Sequence, residues 1–115
     1  MNLIDNRELL NILKKKTVTI GVGIGTTPPK ETDTDLEFPI GHRIPISSYD
    51  KRDDQIRIMG FFPHTISSNF AITEAGIFDE QGKLLVRDIH EPKAWGWDAS
   101  MTVIFEFDIE IVAEE

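Results

Sequence analysis

The stretch GVGIGTTPPKETDTD (residues 21–35) has the residue types of a phosphate-binding loop, with three glycines followed by threonines. The phosphate loop of a nucleotide hydrolase needs Lys and then Ser or Thr directly after its last glycine, at the start of a helix. Here Gly25 is followed by two threonines and two prolines. The dinucleotide fingerprint needs a glycine where Thr26 stands. The glycines therefore indicate a strand on whose outer face another backbone or subunit can approach closely.

Carboxylates provide a second candidate for chemistry near the end of the chain. Glu106, Asp108 and Glu110 alternate with apolar residues and would share one strand face, as in a glycosidase or a calcium site. On a straight strand Glu106 and Glu110 lie about 14 Å apart at ~3.4 Å per residue, which is too far for either glycosidase geometry. A solvated face opposite the core explains these acids, and a hydrolase is the weakest of three functional hypotheses.

Histidines, serines and cysteines complete the survey of reactive residues. His42, His64 and His90 fall in three different predicted elements, and no two of them have a metal-ligand spacing. No serine stands in a Gly-x-Ser-x-Gly elbow. The chain has no cysteine, so thiolate catalysis and disulfides are excluded. We therefore predict no catalytic residue, no cofactor and no metal site.

Trp95-Gly96-Trp97 is the most suggestive local feature. Two tryptophans around a glycine in a loop can stack on a sugar ring, anchor a protein interface or cover one end of the core. All three interpretations remain open at this point. The first is the basis of a second functional hypothesis, a carbohydrate- or peptide-binding β-module.

Composition limits the classes of partner. A length of 115 residues is typical of a single domain. The net charge is −8, and the pI is near 4.8. Such a charge disfavours nucleic acid, whose binding depends on Lys and Arg at the phosphates. No apolar run approaches the roughly 18 residues of a membrane span, and the first residues lack the pattern of a signal peptide. We expect neither a nucleic-acid nor a membrane partner.

The only helix is predicted over Asn2–Lys16, because the apolar residues there recur with a helical period. Asp5 and Glu8 fit an acidic capping box, and three lysines close the last turn. Because so short a helix is only marginally stable by itself in water, we expect it to dock on its own domain or on a neighbouring subunit. The candidate interface residues are Leu9, Leu10, Leu13, Trp95 and Trp97.

From residue 17 the hydrophobic period changes to two, which predicts strands. The first strand spans residues 17–25, and the last and strongest spans residues 101–112. Weaker strands are predicted at residues 36–47, 55–62, 70–78 and 83–89, with loops at 26–35, 48–54 and 91–100. Pro39 and Pro45 make the second strand an edge strand, interrupted or bulged. Asp79 to Gly82 supply the turn of a hairpin.

These six short strands after one helix predict an antiparallel β-sandwich, or a partly closed barrel, with one N-terminal helix. Residues 1–16 would form the helix and residues 17–115 the β-domain. The predicted core includes Val18, Ile20, Val22, Val103, Phe105, Phe107 and Ile109.

Three segments, GVGIGTTPP (residues 21–29), TDTDL (residues 32–36) and ITEAGIF (residues 72–78), occur in an order and spacing that resembles small structural proteins of tailed bacteriophages and prophages. The hairpin DEQGKLL (residues 79–85) and the alternating final strand complete the likeness, which covers the chain from residue 17 onward. The resemblance implies that Ala75 and Gly76 are small where the strand bends or packs closely, and that Glu74 bonds a nearby loop backbone.

The resemblance also implies a function, which forms the leading hypothesis. It implies a virion component made in the bacterial cytoplasm, tail- or fibre-associated, without catalysis. Partners would be other tail or virion proteins, or copies of the chain itself, as in the trimers that many fibres form. A host-surface glycan is a weaker expectation. We expect the helix and the glycine-bearing face of the first strand to supply the assembly contact.

Overall fold

The computed structural model describes residues 1–52, 55–63, 71–93 and 102–110. In these residues one helix, α1 (Asn6–Lys14), precedes seven strands. The strands are β1 (Thr19–Gly23), β2 (Pro39–Pro45), β3 (Ser48–Arg52), β4 (Gln55–Pro63), β5 (Ile72–Phe78), β6 (Leu84–Lys93) and β7 (Thr102–Glu110). They form two open antiparallel sheets, in the orders β2-β1-β5-β6 and β3-β4-β7. The predicted mainly β, sandwich-like fold with one helix is confirmed.

The main core lies between the two sheets and α1. Ile20 and Ile77 of one sheet are fully buried with Ile56 and Ile58 of the other. Gly60 on β4 lies where the sheets approach, because a Cβ there would come within 2.9 Å of Ile20 Cδ1. The predicted core positions that the structure confirms are Val18, Ile20, Val22, Phe107 and Ile109. The side chains of Val103 and Phe105 lie outside the described part.

The helix begins later than the sequence predicts. Asp5 is the N-cap, and its side chain accepts a hydrogen bond from the Arg7 backbone N–H at 2.8 Å. The residues before it extend along the edge strand β6, where Leu3 N–H donates to the Leu85 carbonyl at 2.8 Å. The first residues thus form hydrogen bonds with the edge of the sheet, and the prediction that the helix begins at residue 2 is wrong.

Two predicted loops contain strand. The segment predicted as a loop at residues 48–54 includes β3, which pairs with β4 in a register that places Tyr49 opposite Ile58. β6 continues to Lys93, into the loop predicted at residues 91–100. An edge strand such as β3 can carry charged residues because one of its sides meets solvent, and its hydrophobic pattern is correspondingly weak.

The edge and turn predictions are confirmed. β2 is the outermost strand of its sheet, and its pairing with β1 shifts register between Ile20 and Val22. The hairpin between β5 and β6 turns at Gly82, whose φ is +84°. Asp79 holds that turn, since its Oδ1 accepts from the backbone N–H groups of Gln81 and Lys83.

Candidate functional site

The connection between β1 and β2, residues 24–38, folds back over the outer face of the four-stranded sheet, and we call it the covering loop. Beneath it Gly21 pairs with Gly76, and Gly23 pairs with Glu74. A Cβ on Gly23 would collide with the Phe38 carbonyl and with the Glu74 side chain. The predicted close approach at the glycines therefore occurs, but the approaching group is the chain's own loop. The exposed glycine face that was predicted as an assembly contact is wrong, because Gly21 and Gly23 are buried.

Glu74 is the centre of the contacts beneath the covering loop. Its side chain is fully buried, and it is the one charged residue of β5. Its Oε2 accepts from the Glu37 backbone N–H at 3.2 Å, and its Oε1 accepts from the Phe38 backbone N–H at 3.0 Å. A buried carboxylate needs such donors to offset its lost hydration. The expectation that Glu74 bonds a loop backbone is confirmed.

Arg87 on β6 neutralises this carboxylate and continues the network. Its side chain is 2% exposed, and its guanidinium has one nitrogen 2.9 Å from Glu74 Oε2 and another 3.1 Å from Asp33 Oδ2. Asp33 belongs to the covering loop, and its Oδ2 also accepts from the Lys30 backbone N–H. The Glu74–Arg87–Asp33 cluster thus ties two strands to the covering loop. Arg87 Nε is buried and has no hydrogen-bond partner in the described part of the chain.

A second carboxylate fixes the start of the covering loop. Glu37 accepts from the backbone N–H groups of Thr26 and Thr27 and from the Thr27 hydroxyl. The hydroxyl bond, followed by the two backbone bonds, lowers the pKa of Glu37 below its usual value of 4.5. Thr73 adds a bond from its hydroxyl to the Gly25 carbonyl at 2.6 Å. Both ends of the loop are therefore held by side chains.

Apolar packing closes the other part of the same surface. Leu36 of the covering loop packs with Phe78 and Leu84 in a small core on the outer face of the sheet. The Arg43 guanidinium lies 3.5 Å from the centroid of the Phe78 ring, a cation–π geometry. Gly76 leaves room for Leu36, since a Cβ there would come within 3.0 Å of Leu36 Cδ2. The expected need for a small residue at Gly76 is confirmed.

The predicted interface residues have different surroundings. Leu9 and Leu13 are fully buried in the core of the chain itself, and Leu10 is partly buried against that core. The apolar stripe of α1 is thus occupied within the domain, the first of the two alternatives for its docking. Contact with a partner through Leu9 or Leu13 stays a prediction that would require α1 to undock. Trp95 and Trp97 lie outside the described residues, and their role stays a prediction.

Large apolar side chains are nevertheless exposed at the two ends of the covering loop. Ile24 and Phe38 stand opposite each other where β1 and β2 part, joined by a hydrogen bond from Ile24 N–H to the Phe38 carbonyl at 2.9 Å. Their side chains are 38% and 59% exposed. The first strand was predicted over residues 17–25, which include Ile24, but β1 ends at Gly23.

Comparison of the chain with protein-family models, with curated proteins and with solved structures found no match. Within the described ranges, no group of three or more His, Asp or Glu side chains is placed to hold a metal ion. The same residues contain no helix of the length and apolarity that crossing a membrane requires.

Sequence reasoning missed Asp33 and Arg87 as members of the network. The available signal was the charge of Glu74 within ITEAGIF and the charge of Arg87 directly after the apolar run Leu84–Val86. Glu74 and Arg87 are close to one another because Gly76, two residues after Glu74, pairs with Arg87 in the register of β5 and β6. Asp33 reaches Arg87 only because of the path of the covering loop, and the spacing of residues in the sequence does not predict that path.

Proposed function

We propose that this chain is a non-enzymatic structural or interaction protein of a tailed bacteriophage or prophage, associated with the tail or a tail fibre. The supporting observation is the convergence of three segments. The segments that carry the resemblance supply Gly23 and Gly25, Asp33, and Glu74. Gly23 and Gly25 lie against the Glu74 side chain, and Arg87 joins Asp33 to Glu74, where the covering loop meets the sheet. The shared sequence features are thus accounted for by the packing of a loop on a sheet.

A fixed loop suits a protein whose role is to present a surface. Hydrogen bonds and ion pairs hold the covering loop at Thr26, Asp33 and Phe38. Ile24 and Phe38 are presented at its two ends, and an exposed aromatic residue on a rigid support is a common anchor of protein contacts. We therefore place the contact with a tail protein, or with another copy of the chain, at this pair.

Two experiments test the proposal. The position of the gene among tail, baseplate or lysis genes is expected, together with recovery of the chain from purified particles by mass spectrometry. A gene among metabolic genes, and absence from particles that contain every other tail protein, would refute the virion role.

The contact surface is tested separately by light scattering on the full chain. Phe38→Ser is expected to reduce self-association or tail binding, whereas Phe61→Ser, on the other sheet, serves as a matched control because Phe61 is 41% exposed. Equal effects of the two substitutions would remove Ile24 and Phe38 as the contact.

A further inference from the structure

A small pocket lies between the end of α1 and the start of β3, away from the covering loop. Its lining residues are Lys16, Ile46, Ser47, Ser48 and Tyr49. Its volume of about 190 Å³ is below the 300–1,000 Å³ of pockets for drug-sized ligands. The occupant must therefore be a single small residue or a terminal group.

Lys16 has an unusual backbone conformation at this pocket. Its φ is +57°, the only positive φ of a residue other than glycine in the described part of the chain. Left-handed backbone is unfavourable for a residue with a Cβ. In this conformation the Lys16 ammonium lies 5.6 Å from the centroid of the Tyr49 ring. Lys16 directly follows the C-cap Lys15 of α1, and its N–H donates to the Leu13 carbonyl, so its left-handed backbone is a common helix ending. This ending brings its ammonium to the pocket.

Ser48 contributes a buried hydroxyl at the wall of the pocket. Its Oγ is buried, and no hydrogen-bond partner for it exists among the described residues. Buried hydroxyls without a partner are rare in native proteins, and each calls for an explanation. A ligand hydroxyl in the pocket would supply the missing partner after a rotation about the Ser48 Cα–Cβ bond.

The lining defines the chemistry of the ligand. The Lys16 ammonium attracts an anion, and the hydroxyls of Ser47, Ser48 and Tyr49 each donate and accept hydrogen bonds. Sugar hydroxyls also do both, whereas a simple carboxylate only accepts. We propose that this pocket binds one anionic sugar residue, a hexuronate, with its carboxylate at Lys16 and its ring hydroxyls at the serines. Such binding does not depend on the proposed virion role, and either can fail alone.

Titration of the full chain with sodium D-glucuronate, followed by backbone amide NMR shifts, tests the site. We expect saturable shifts at Ser47, Ser48 and Tyr49 with a millimolar dissociation constant, because the site is small and the rest of the chain repels anions. D-Glucose has the ring hydroxyls without the carboxylate, and acetate has the carboxylate without the hydroxyls. Each should bind at least about tenfold more weakly than glucuronate. Absence of saturable shifts, or equal binding of acetate and glucuronate, would overturn the proposal.

Substitutions separate binding from folding. Lys16→Met and Lys15→Met remove the same charge from neighbouring exposed residues, but only the first should weaken glucuronate binding, by about tenfold or more. Lys16→Gly removes the ammonium and relieves the positive φ, so loss of binding in that variant cannot be caused by unfolding. Ser48→Ala should weaken binding severalfold without loss of stability. Equal binding by the Lys16 and Lys15 variants would refute the assignment.

Discussion

Substitution of Glu74 by Gln should destabilise the protein more than any other change of a single charge in the covering-loop region. Glu74 and Arg87 are 0% and 2% exposed and lie 2.9 Å apart. The amide of Gln is close in size to the carboxylate and can still accept a backbone bond. The substitution therefore removes the charge and leaves Arg87 buried without its main counter-ion.

The size of the effect follows from this burial. Breaking a buried ion pair by removing one partner costs about 3–5 kcal/mol, mainly because a charge is left uncompensated. Asp33 remains 3.1 Å from Arg87 with its side chain 23% exposed, so we expect the lower end, about 3 kcal/mol. For a chain of 115 residues, an unfolding entropy of about 0.24 kcal/mol/K converts this into a fall in Tm of about 12 °C.

Urea unfolding followed by far-ultraviolet circular dichroism measures the free energy of unfolding, and hydrogen exchange measures the local effect. The amides of Glu37 and Phe38, which donate to Glu74, should exchange faster in Glu74→Gln. Glu80→Gln is the matched control, because Glu80 is exposed in the hairpin turn and its substitution should change stability by less than about 0.5 kcal/mol. A loss below about 1 kcal/mol in Glu74→Gln, with unchanged exchange at both amides, would refute the reasoning.

Three further outcomes are expected. Gly23→Ala should cost about 1–3 kcal/mol in urea unfolding, because its methyl group would overlap the Phe38 carbonyl and the Glu74 side chain; a neutral result would mean that the covering loop does not contact β1. Lys16→Gly should raise the free energy of unfolding by about 1 kcal/mol, since φ there is +57°, and a decrease would contradict the left-handed assignment. The lowered pKa of Glu37 means that its carboxylate stabilises the fold above its usual pKa of 4.5 and that this stability is lost as pH falls through the lowered value. Stability curves of the wild type and Glu37→Gln should therefore differ above that pH and converge in acid, and a constant difference at every pH would contradict the bonds to Thr26 and Thr27.

The sequence by itself determined the class of the fold. Alternation of apolar residues identified the strands, and Asp79 with Gly82 identified the hairpin turn, since both signals are local and act within a few residues. The two prolines of β2 marked an edge strand for the same reason, because each removes a backbone donor where it stands. The polar strand β3 carried no comparable pattern and was predicted as a loop.

Tertiary structure decided what covers each face. Alternation on β1 shows that one side is apolar, but it does not show that the glycine side meets residues 24–38 of the same chain. The full burial of Glu74 depends on the register between β5 and β6, which brings Arg87 beside it, and on a loop that brings Asp33 to Arg87. The contact between Asp33 and Arg87 joins residues 54 positions apart in the chain. It arises from packing of the whole domain, which the local sequence pattern around either residue does not predict.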